Sequence, residues 1–256
     1  MDRILCLIPL ALALCACSVK EDRSACPCEL YVRSDEPLKT EGTVLVSVIQ
    51  DGSVVKQGML SRQDFDSGKC VLTVPRKPSS VTVFTGITGM SAAGGRFLGI
   101  PADHQCDEVY SCLEPFDPVG EEYVCTVVPH KNFARLDIEV IGMPEGGELR
   151  VMGNVQGYDL ASLAPCEGQF DCCPEQGAGR WRLRLPRQTD DSLLLEVAAG
   201  SARVGIVPLG DLIARSGYSF DEEDLADMSV TVDLTRKDAF IVIAGWERGE
   251  SFTESF

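Results

Sequence analysis

Short segments in which apolar and polar residues alternate recur along the chain, separated by clusters of Gly, Pro, Asp and Ser. The clearest are FARLDIEVI at residues 133–141 and RWRLRLP at residues 180–186. A two-residue period places one face of a strand against a core and the other face in water. Further strands are predicted at residues 43–50, 69–74, 80–85, 122–128, 148–152, 192–198, 229–234 and 239–244. Many short strands with this spacing indicate an all-β protein built from β-sandwiches.

Helical signals are few. The segment PLGDLIARS at residues 208–216 has Pro in its first turn, three apolar residues on one side and Gly217 as a stop, which predicts a short helix. The acidic DEEDLAD at residues 221–227 is typical of either a helical turn or a solvated loop. The glycine-rich SAAGGRFLG at residues 91–99 leads into no helix, so it predicts a flexible loop rather than a ligand cradle.

Two distant parts of the chain resemble each other, KCVLTVPRKPSSVTVFTG at residues 69–86 and RWRLRLPRQTDDSLLLEVAAG at residues 180–200. Leu72, Val74, Pro75 and Arg76 match Leu183, Leu185, Pro186 and Arg187, and the members of each pair are 111 positions apart. That spacing indicates a duplicated domain, and chance similarity of two hairpins is the alternative. The predicted domains are an amino-terminal sandwich at residues 29–131 and a carboxy-terminal sandwich at residues 132–247. A tail at residues 248–256 is either a frayed terminus or a segment offered to a partner sheet.

The first 16 residues have the features of an export signal. Arg3 lies beside the amino terminus, an apolar run covers residues 4–14, and small residues precede a cysteine. The run is too short for a transmembrane helix, which needs about 20 apolar residues. Residues 1–16 are therefore predicted to be removed on export.

The residues before Cys17, Leu14-Cys15-Ala16, look like a bacterial lipobox. Such a motif predicts cleavage ahead of Cys17, a diacylglyceryl group on its thiol and a further acyl chain on its amino group. Two or three chains hold a protein stably on a membrane, whereas one holds it only marginally. Residues 17–28 would then form a lipidated tether. The alternative is cleavage after Ala13, which would release a soluble protein.

Charge narrows the choice of partners. The net charge is −16 with only two histidines, which argues against nucleic acid, because nucleic acid needs a basic surface. An anionic membrane surface is disfavoured for the same reason, so lipid rather than charge must hold the protein there.

Three segments together resemble a known family: CSVKEDRSACPCEL at residues 17–30, LPRQTDDSLLLEV at residues 185–197, and PLGDLIARSGYSFDEEDLADMSVTVDLTRKDAFIVIAGWE at residues 208–247. They are similar to the FimB/Mfa-type fimbrial subunits of Bacteroidetes-type pili. The family pattern has an aromatic residue after CPC and GYDW before the acidic turn, where this chain has Glu29 and GYSF.

The resemblance implies a lipoprotein of two tandem transthyretin-like β-sandwich domains with few short helices, surface-exposed on the cell outer membrane. Family anchors hold a fimbrium to the cell and limit its length, and these pilins join by strand exchange, so pilin subunits are the expected partners. Lys20, Glu21 and Asp22 resemble the signal that sends lipoproteins of this phylum to the outer leaflet. An adhesin or a tip or accessory component that binds glycan or a host ligand is the alternative.

The chain has twelve cysteines, and nine remain after removal of the leader and lipidation of Cys17. They are Cys26, Cys28, Cys70, Cys106, Cys112, Cys125, Cys166, Cys172 and Cys173, all predicted to be structural. Because nine is odd, at least one thiol must stay free or pair with another chain. Disulfides and plain buried thiols are both compatible with the sequence, and Cys166, Cys172 and Cys173 are predicted to share a loop. Metal binding is disfavoured, because no histidine stands near the clusters and the spacing differs from that of zinc sites.

Signals for catalysis are missing from the sequence. The two histidines, His104 and His130, lie in turn-like segments, and the chain contains no HExxH, G-x-S-x-G or P-loop motif. We therefore expect no catalytic residues, no metal and no cofactor other than the covalent lipid on Cys17, and an exported hydrolase is the least favoured function.

Overall fold

The computed structural model describes residues 22–177, 179–243 and 252–255. These ranges contain twenty strands and two short helices, so the predicted all-β class with few helices is confirmed. The first half contains β1 (Pro27–Arg33), β2 (Thr43–Gln50), β3 (Ser53–Ser61), α1 (Arg62–Asp66), β4 (Val71–Pro75), β5 (Ser79–Ile87), β6 (Ser91–Ala93), β7 (Phe97–Gly99), β8 (Tyr110–Phe116), β9 (Glu122–Thr126) and β10 (His130–Lys131). The second half contains β11 (Phe133–Ile141), β12 (Gly147–Asp159), β13 (Pro165–Cys172), β14 (Glu175–Gly177), β15 (Arg180–Pro186), β16 (Leu194–Ala199), β17 (Ala202–Val207), α2 (Leu209–Arg215), β18 (Met228–Asp233), β19 (Asp238–Ile243) and β20 (Phe252–Ser255).

The first half forms a β-sandwich. A three-stranded sheet in the order β4-β1-β9 faces a five-stranded sheet in the order β10-β8-β5-β2-β3. Apolar side chains from both sheets, such as Leu30 and Val32 from β1 and Val46 and Val83 from β2 and β5, are buried in one shared core. The alternation in the sequence produces this core, because every second residue of a strand points inward.

The second half forms another sandwich on the same plan. One sheet has the order β14-β15-β11-β18-β19-β20, and the other has the order β17-β16-β12-β7-β6, with β13 also paired to β12. The core contains Leu136, Ile138 and Leu183 from the first sheet and Val151 and Leu195 from the second. The predicted helix is confirmed as α2, which packs Leu209, Leu212 and Ile213 against this core.

The strand order of the two sandwiches is the same. In the first, β1 lies between antiparallel β4 and parallel β9, and in the second, β11 lies between antiparallel β15 and parallel β18. The opposite sheets match as β8-β5-β2-β3 and β17-β16-β12-β13. The segments matched in the sequence fall on β4 and β15, at equivalent positions. This repeated topology supports duplication over a chance similarity of hairpins.

The glycine-rich segment at residues 91–99 is not a flexible loop, so that prediction was wrong. It forms a hairpin, β6–β7, in which Gly94 and Gly95 have φ of +59° and +69°. Ala93 pairs with Phe97, so the turn has three residues, Gly94, Gly95 and Arg96, and glycine adopts the two positive φ values without strain. The hairpin lies in the first predicted domain by sequence, but β7 pairs with β12 of the second sandwich.

A third apolar core joins the sandwiches. It contains Leu45 and Phe84 from the first, Leu98 from the hairpin, and Tyr158 and Leu160 from the second. The hydroxyl of Thr82 donates to the carbonyl of Leu160 at 2.6 Å across the same boundary. These contacts fix the orientation of one sandwich relative to the other.

Asn132, at the predicted boundary between the domains, binds both sandwiches. Its Nδ2 donates to Ser111 Oγ at 3.0 Å, and its Oδ1 accepts from Arg187 Nε at 2.7 Å. Its carbonyl accepts from the hydroxyl of Tyr158 at 2.6 Å. The linker between the sandwiches is therefore a rigid junction.

The acidic segment at residues 221–227 forms a loop without helix, but it is not merely solvated. Asp224 accepts from the backbone N–H of Lys131 at 2.6 Å, and Asp227 accepts from the backbone N–H of Arg135 at 2.8 Å. His130 of β10 lies 3.0 Å from a Glu223 oxygen. The loop thus binds the linker and the start of β11. Neither helix of the described ranges has the length or the apolar run that a membrane crossing requires.

Candidate functional site

The predicted site residues at the amino terminus fall mostly outside the described residues. Cys17, Lys20 and Glu21 lie there, and so does the whole leader. Asp22 is exposed, and its Oδ1 accepts from the N–H of Ser24 at 2.9 Å. Lipidation and the surface-export signal therefore stay predictions.

All nine described cysteines are free thiols. Six of them are buried, namely Cys28, Cys70, Cys106, Cys112, Cys125 and Cys172. Cys166 and Cys172 lie in β13, so the predicted loop cluster was wrong, because this segment pairs with β12. Burial raises the pKa of Cys112 and of Cys172 to about 12. Such thiols are protonated and unreactive at neutral pH, which suits a packing role, and disulfide pairing remains a prediction.

We expect alkylation of the reduced protein to follow this burial. At pH 8, iodoacetamide should modify the exposed Cys173 first, while the six buried thiols should react only after unfolding in denaturant. Peptide mass spectrometry of samples quenched over time measures the order. Rapid modification of Cys106, which is 0% exposed, in the native protein would contradict the packing described above.

The duplicated topology draws attention to the three-stranded sheet, whose edge strands β4 and β9 have no neighbour on their far sides among the described residues. The equivalent of β4, β15, is covered only by the three-residue β14, whereas the equivalent of β9 is covered by the six-residue β19, so β9 offers the longer uncovered edge. In the second sandwich, the far side of β18 is covered by β19, and β20 covers β19 in turn. In the first sandwich, no strand of the described residues lies on the far side of β9, the equivalent of β18. Within the described ranges, the position that β19 fills in one sandwich is therefore unoccupied in the other. An open strand presents unpaired N–H and C=O groups to which another strand can bind.

The backbone of β9 confirms which groups face outward. Glu29 N donates to Glu121 O at 2.7 Å, and Val127 N donates to Arg33 O at 2.9 Å. In a parallel ladder, alternate residues of a strand bond to the same neighbour. The N–H and C=O groups of Glu122, Val124 and Thr126 therefore point away from β1 toward the open side.

Several apolar side chains are exposed around this edge. Val71, Tyr31 and Val124 form one row across the outer face of the β4-β1-β9 sheet. Val124 is 50% exposed, and Val119 and Val128, just outside the ends of β9, are 90% and 59% exposed. An exposed apolar cluster of this kind is typical of an interaction surface.

The equivalent row of the second sandwich is charged. Arg182, Asp137 and Ser229 occupy the positions of Val71, Tyr31 and Val124, and Arg182 Nε donates to Asp137 Oδ1 at 2.9 Å. The outer face of the equivalent sheet is thus polar in the second sandwich and apolar in the first.

Two other exposed edges are less suited to accept a strand. The β2–β3 pairing has a register shift at Val48/Ile49, and the β16–β17 pairing has one at Val197/Ala198. Bulges of this kind twist an edge strand and interrupt further pairing. The β1–β9 pairing runs through five residues without a shift. We therefore assign the open edge of β9, with its flanking valines, as the candidate docking edge.

No protein-family model matches the chain, and no curated protein matches it. Solved structures do. The fimbrial anchor protein Mfa2 from Porphyromonas gingivalis superposes with a TM-score of 0.60 at 12% identity, over 86% of this chain and 98% of that one. A candidate polysaccharide-binding protein from Bacteroides thetaiotaomicron gives 0.60 at 11% identity, over 90% and 98%.

A candidate adhesin from Bacteroides ovatus gives a TM-score of 0.58 at 13% identity, over 90% of this chain and 96% of that one. These neighbours fit the FimB/Mfa-type resemblance in the sequence. At such identities the agreement concerns the fold. The chain therefore has the fold of the Mfa2 anchor protein and of these adhesin-type proteins over nearly its whole length.

Proposed function

We propose that this chain belongs to the FimB/Mfa-type fimbrial subunits and is a lipid-anchored protein of the cell outer membrane that holds a fimbrium on the cell surface. A pilin subunit docks on it by adding a strand to the candidate docking edge. The observation that carries this proposal is that no described strand lies on the far side of β9, a position that β19 fills in the second sandwich. Limitation of fimbrial length follows from a subunit that ends the polymer at the membrane.

The physical basis of docking is backbone pairing. An added strand satisfies the outward N–H and C=O groups of β9 and covers the exposed Val124. Each backbone hydrogen bond contributes about 0.5–1.5 kcal/mol net, and burial of apolar surface adds about 25 cal/mol per Å². Several such bonds along a strand give stable association.

The substitution Val124→Pro tests the docking edge. Proline removes an outward N–H without removing a bond to β1, so we expect the amount of this protein in purified fimbriae to fall about tenfold. Val55→Pro is the matched control, because Val55 is 47% exposed against 50% for Val124 and lies at the irregular pairing of edge strand β3. Thermal unfolding shows whether both variants fold. Wild-type amounts of a folded V124P variant in fimbriae would refute docking at β9.

The substitution Cys17→Ala tests anchoring separately. The variant loses the lipid chains to which we assign the membrane attachment, so we expect it to leave the membrane fraction and long fimbriae to appear in the medium. Fractionation with immunoblotting and electron microscopy measures both effects. Unchanged retention of fimbriae on cells would refute the anchoring role. The Val124→Pro experiment would still test docking, because its result does not depend on the lipid.

A further inference from the structure

Carboxylates gather at the end of the candidate docking edge where β9 begins. Glu29 and Glu122 lie directly opposite each other in the β1–β9 register, and both are exposed. Glu121 precedes them and is 92% exposed at its side chain. A cleft of about 670 Å³ opens here, and these three glutamates line it together with Cys26, Pro27, Thr73 and Arg76. Like charges directly opposite each other destabilise a sheet. A positive charge placed beside Glu29 and Glu122 would therefore stabilise this edge.

The neighbouring cation compensates this charge poorly. Arg76 Nε donates to the carbonyl of Pro27 at 3.1 Å, while its Nη2 lies 3.9 Å from Glu121, beyond hydrogen-bond distance. The carboxylate of Glu29 accepts only from the hydroxyl of Tyr31, at 3.0 Å, among the described residues. That hydrogen bond and the charges of Glu29 and Glu122 raise the pKa of Tyr31, as expected in a negative potential.

In the second sandwich, the row equivalent to Thr73, Glu29 and Glu122 contains both positive and negative side chains. Arg184, Arg135 and Asp227 occupy the positions of Thr73, Glu29 and Glu122. Arg135 Nη2 donates to both carboxylate oxygens of Glu108 at 2.9 Å, and its backbone N–H donates to Asp227 at 2.8 Å. The missing positive charge is thus specific to the sandwich whose edge is open.

The direction of a strand docked on β9 can be inferred from β19, which lies beside the equivalent strand β18. β19 runs antiparallel to β18, so its last residue, Ile243, lies opposite the first residue of β18, Met228. A strand in the equivalent position on β9 would by analogy run antiparallel, with its carboxy-terminal end beside Glu122. Its residue opposite Val124 comes two positions before its residue opposite Glu122, and both side chains point to the outer face.

We propose that the partner strand carries an apolar residue followed two positions later by lysine or arginine, and that this cation lies over the Glu29–Glu122 pair of the antiparallel complex. The proposal rests on the proposed docking of a strand on β9. The apolar residue covers Val124. The cation supplies the positive charge that Arg135 and Arg184 supply in the second sandwich, and the two residues together determine which strand this edge binds.

Synthetic peptides test the charge. Three amidated peptides of about nine residues share one alternating valine–threonine strand. They differ at a single outward position near the carboxy-terminal end, which is lysine, glutamine or glutamate. Calorimetric titration of the full chain should rank lysine above glutamine above glutamate, with about threefold to tenfold steps that shrink as salt is raised. The exposed Glu122→Lys variant should reverse the order.

The outcomes separate the two proposals. Equal binding of all three peptides would overturn the charge inference and leave strand docking in place. No binding of any peptide, together with normal incorporation of the V124P variant into fimbriae, would overturn docking itself. A nitroxide on the carboxy-terminal end of the lysine peptide should broaden the amide signal of Glu122 more than that of Thr126, and the reverse pattern would overturn the antiparallel direction.

Discussion

Replacing Asp107 with asparagine is expected to lower the free energy of unfolding by about 2–4 kcal/mol. Asp107 is 6% exposed, and its Oδ2 accepts from the backbone N–H groups of Thr88, Gly89 and Met90 at 2.7–2.8 Å. Its Oδ1 accepts from the hydroxyl of Thr88 at 2.6 Å. An asparagine would turn an N–H₂ group toward some of these donors and leave them buried without an acceptor. Chemical denaturation at pH 7 measures the loss.

The effect should depend on pH. Burial alone would raise the pKa of Asp107, but the hydrogen bonds from Thr88, Met90 and Gly89 outweigh it and hold the pKa below its ordinary value. The carboxylate therefore stabilises the fold fully above the unfolded pKa of about 3.9, and this contribution is lost as pH falls through the lower folded pKa. The difference between wild type and Asp107→Asn should shrink below about pH 4.

Asp51→Asn is the matched control for this prediction. Asp51 is exposed in the turn between β2 and β3 at φ +49°, a conformation that asparagine also adopts, so its substitution should change stability by less than about 0.5 kcal/mol. Equal stability of the Asp107 and Asp51 variants would show that the buried carboxylate does not hold the segment before β6.

Replacing Tyr158 with phenylalanine is expected to cost about 2–4 kcal/mol, although it removes a single oxygen. Tyr158 is fully buried, and its hydroxyl donates to the carbonyl of Asn132 and accepts from the N–H of Arg187 at 3.0 Å. Its loss leaves one buried acceptor and one buried donor without partners, each at about 1–3 kcal/mol. Because Asn132 joins the sandwiches, we expect the loss to weaken the junction. Denaturation together with amide hydrogen exchange at Asn132 measures it.

Tyr123→Phe provides the comparison. Tyr123 packs its ring against Phe116 with centroids 5.5 Å apart, and its hydroxyl makes no hydrogen bond among the described residues. The same chemical change there should alter stability by less than about 0.5 kcal/mol. If the two tyrosine substitutions cost the same, the hydroxyl of Tyr158 does not hold the junction.

The sequence predicted the central strands well and the outer ones poorly. β11 and β15 alternate because one face of each is buried under a second sheet, whereas β2 is an almost continuous apolar run because both of its faces are buried. β3 and β17 are edge strands with mostly exposed or half-buried residues, so their sequences have too few apolar positions to reveal a period. β12 extends beyond its predicted end because the β6–β7 hairpin and β13 pair with its second half, and this depends on residues far away in the chain.

For the candidate docking edge, too, the sequence indicated some features and not others. The resemblance in the sequence implied strand exchange, and the matched segments around Arg76 and Arg187 indicated duplication. Neither indicates which edge is open, because an edge is defined by the absence of a neighbour. The apolar row of Val71, Tyr31 and Val124 is invisible in the sequence, since its members come from three separate strands. The uncovered side of β9 becomes evident only when the strand orders of the two sandwiches are compared over the described residues.

The central place of β1 in its sheet has a mechanical consequence. Tension entering the protein at Pro27 acts along β1, whereas the hydrogen bonds to antiparallel β4 and parallel β9 lie across that direction. Bonds loaded in this way share the force and must break together, unlike those of a peeled edge strand, which open one at a time. Under the proposed anchoring through Cys17, force on the fimbrium would therefore load β1 in shear between two hydrogen-bonded neighbours.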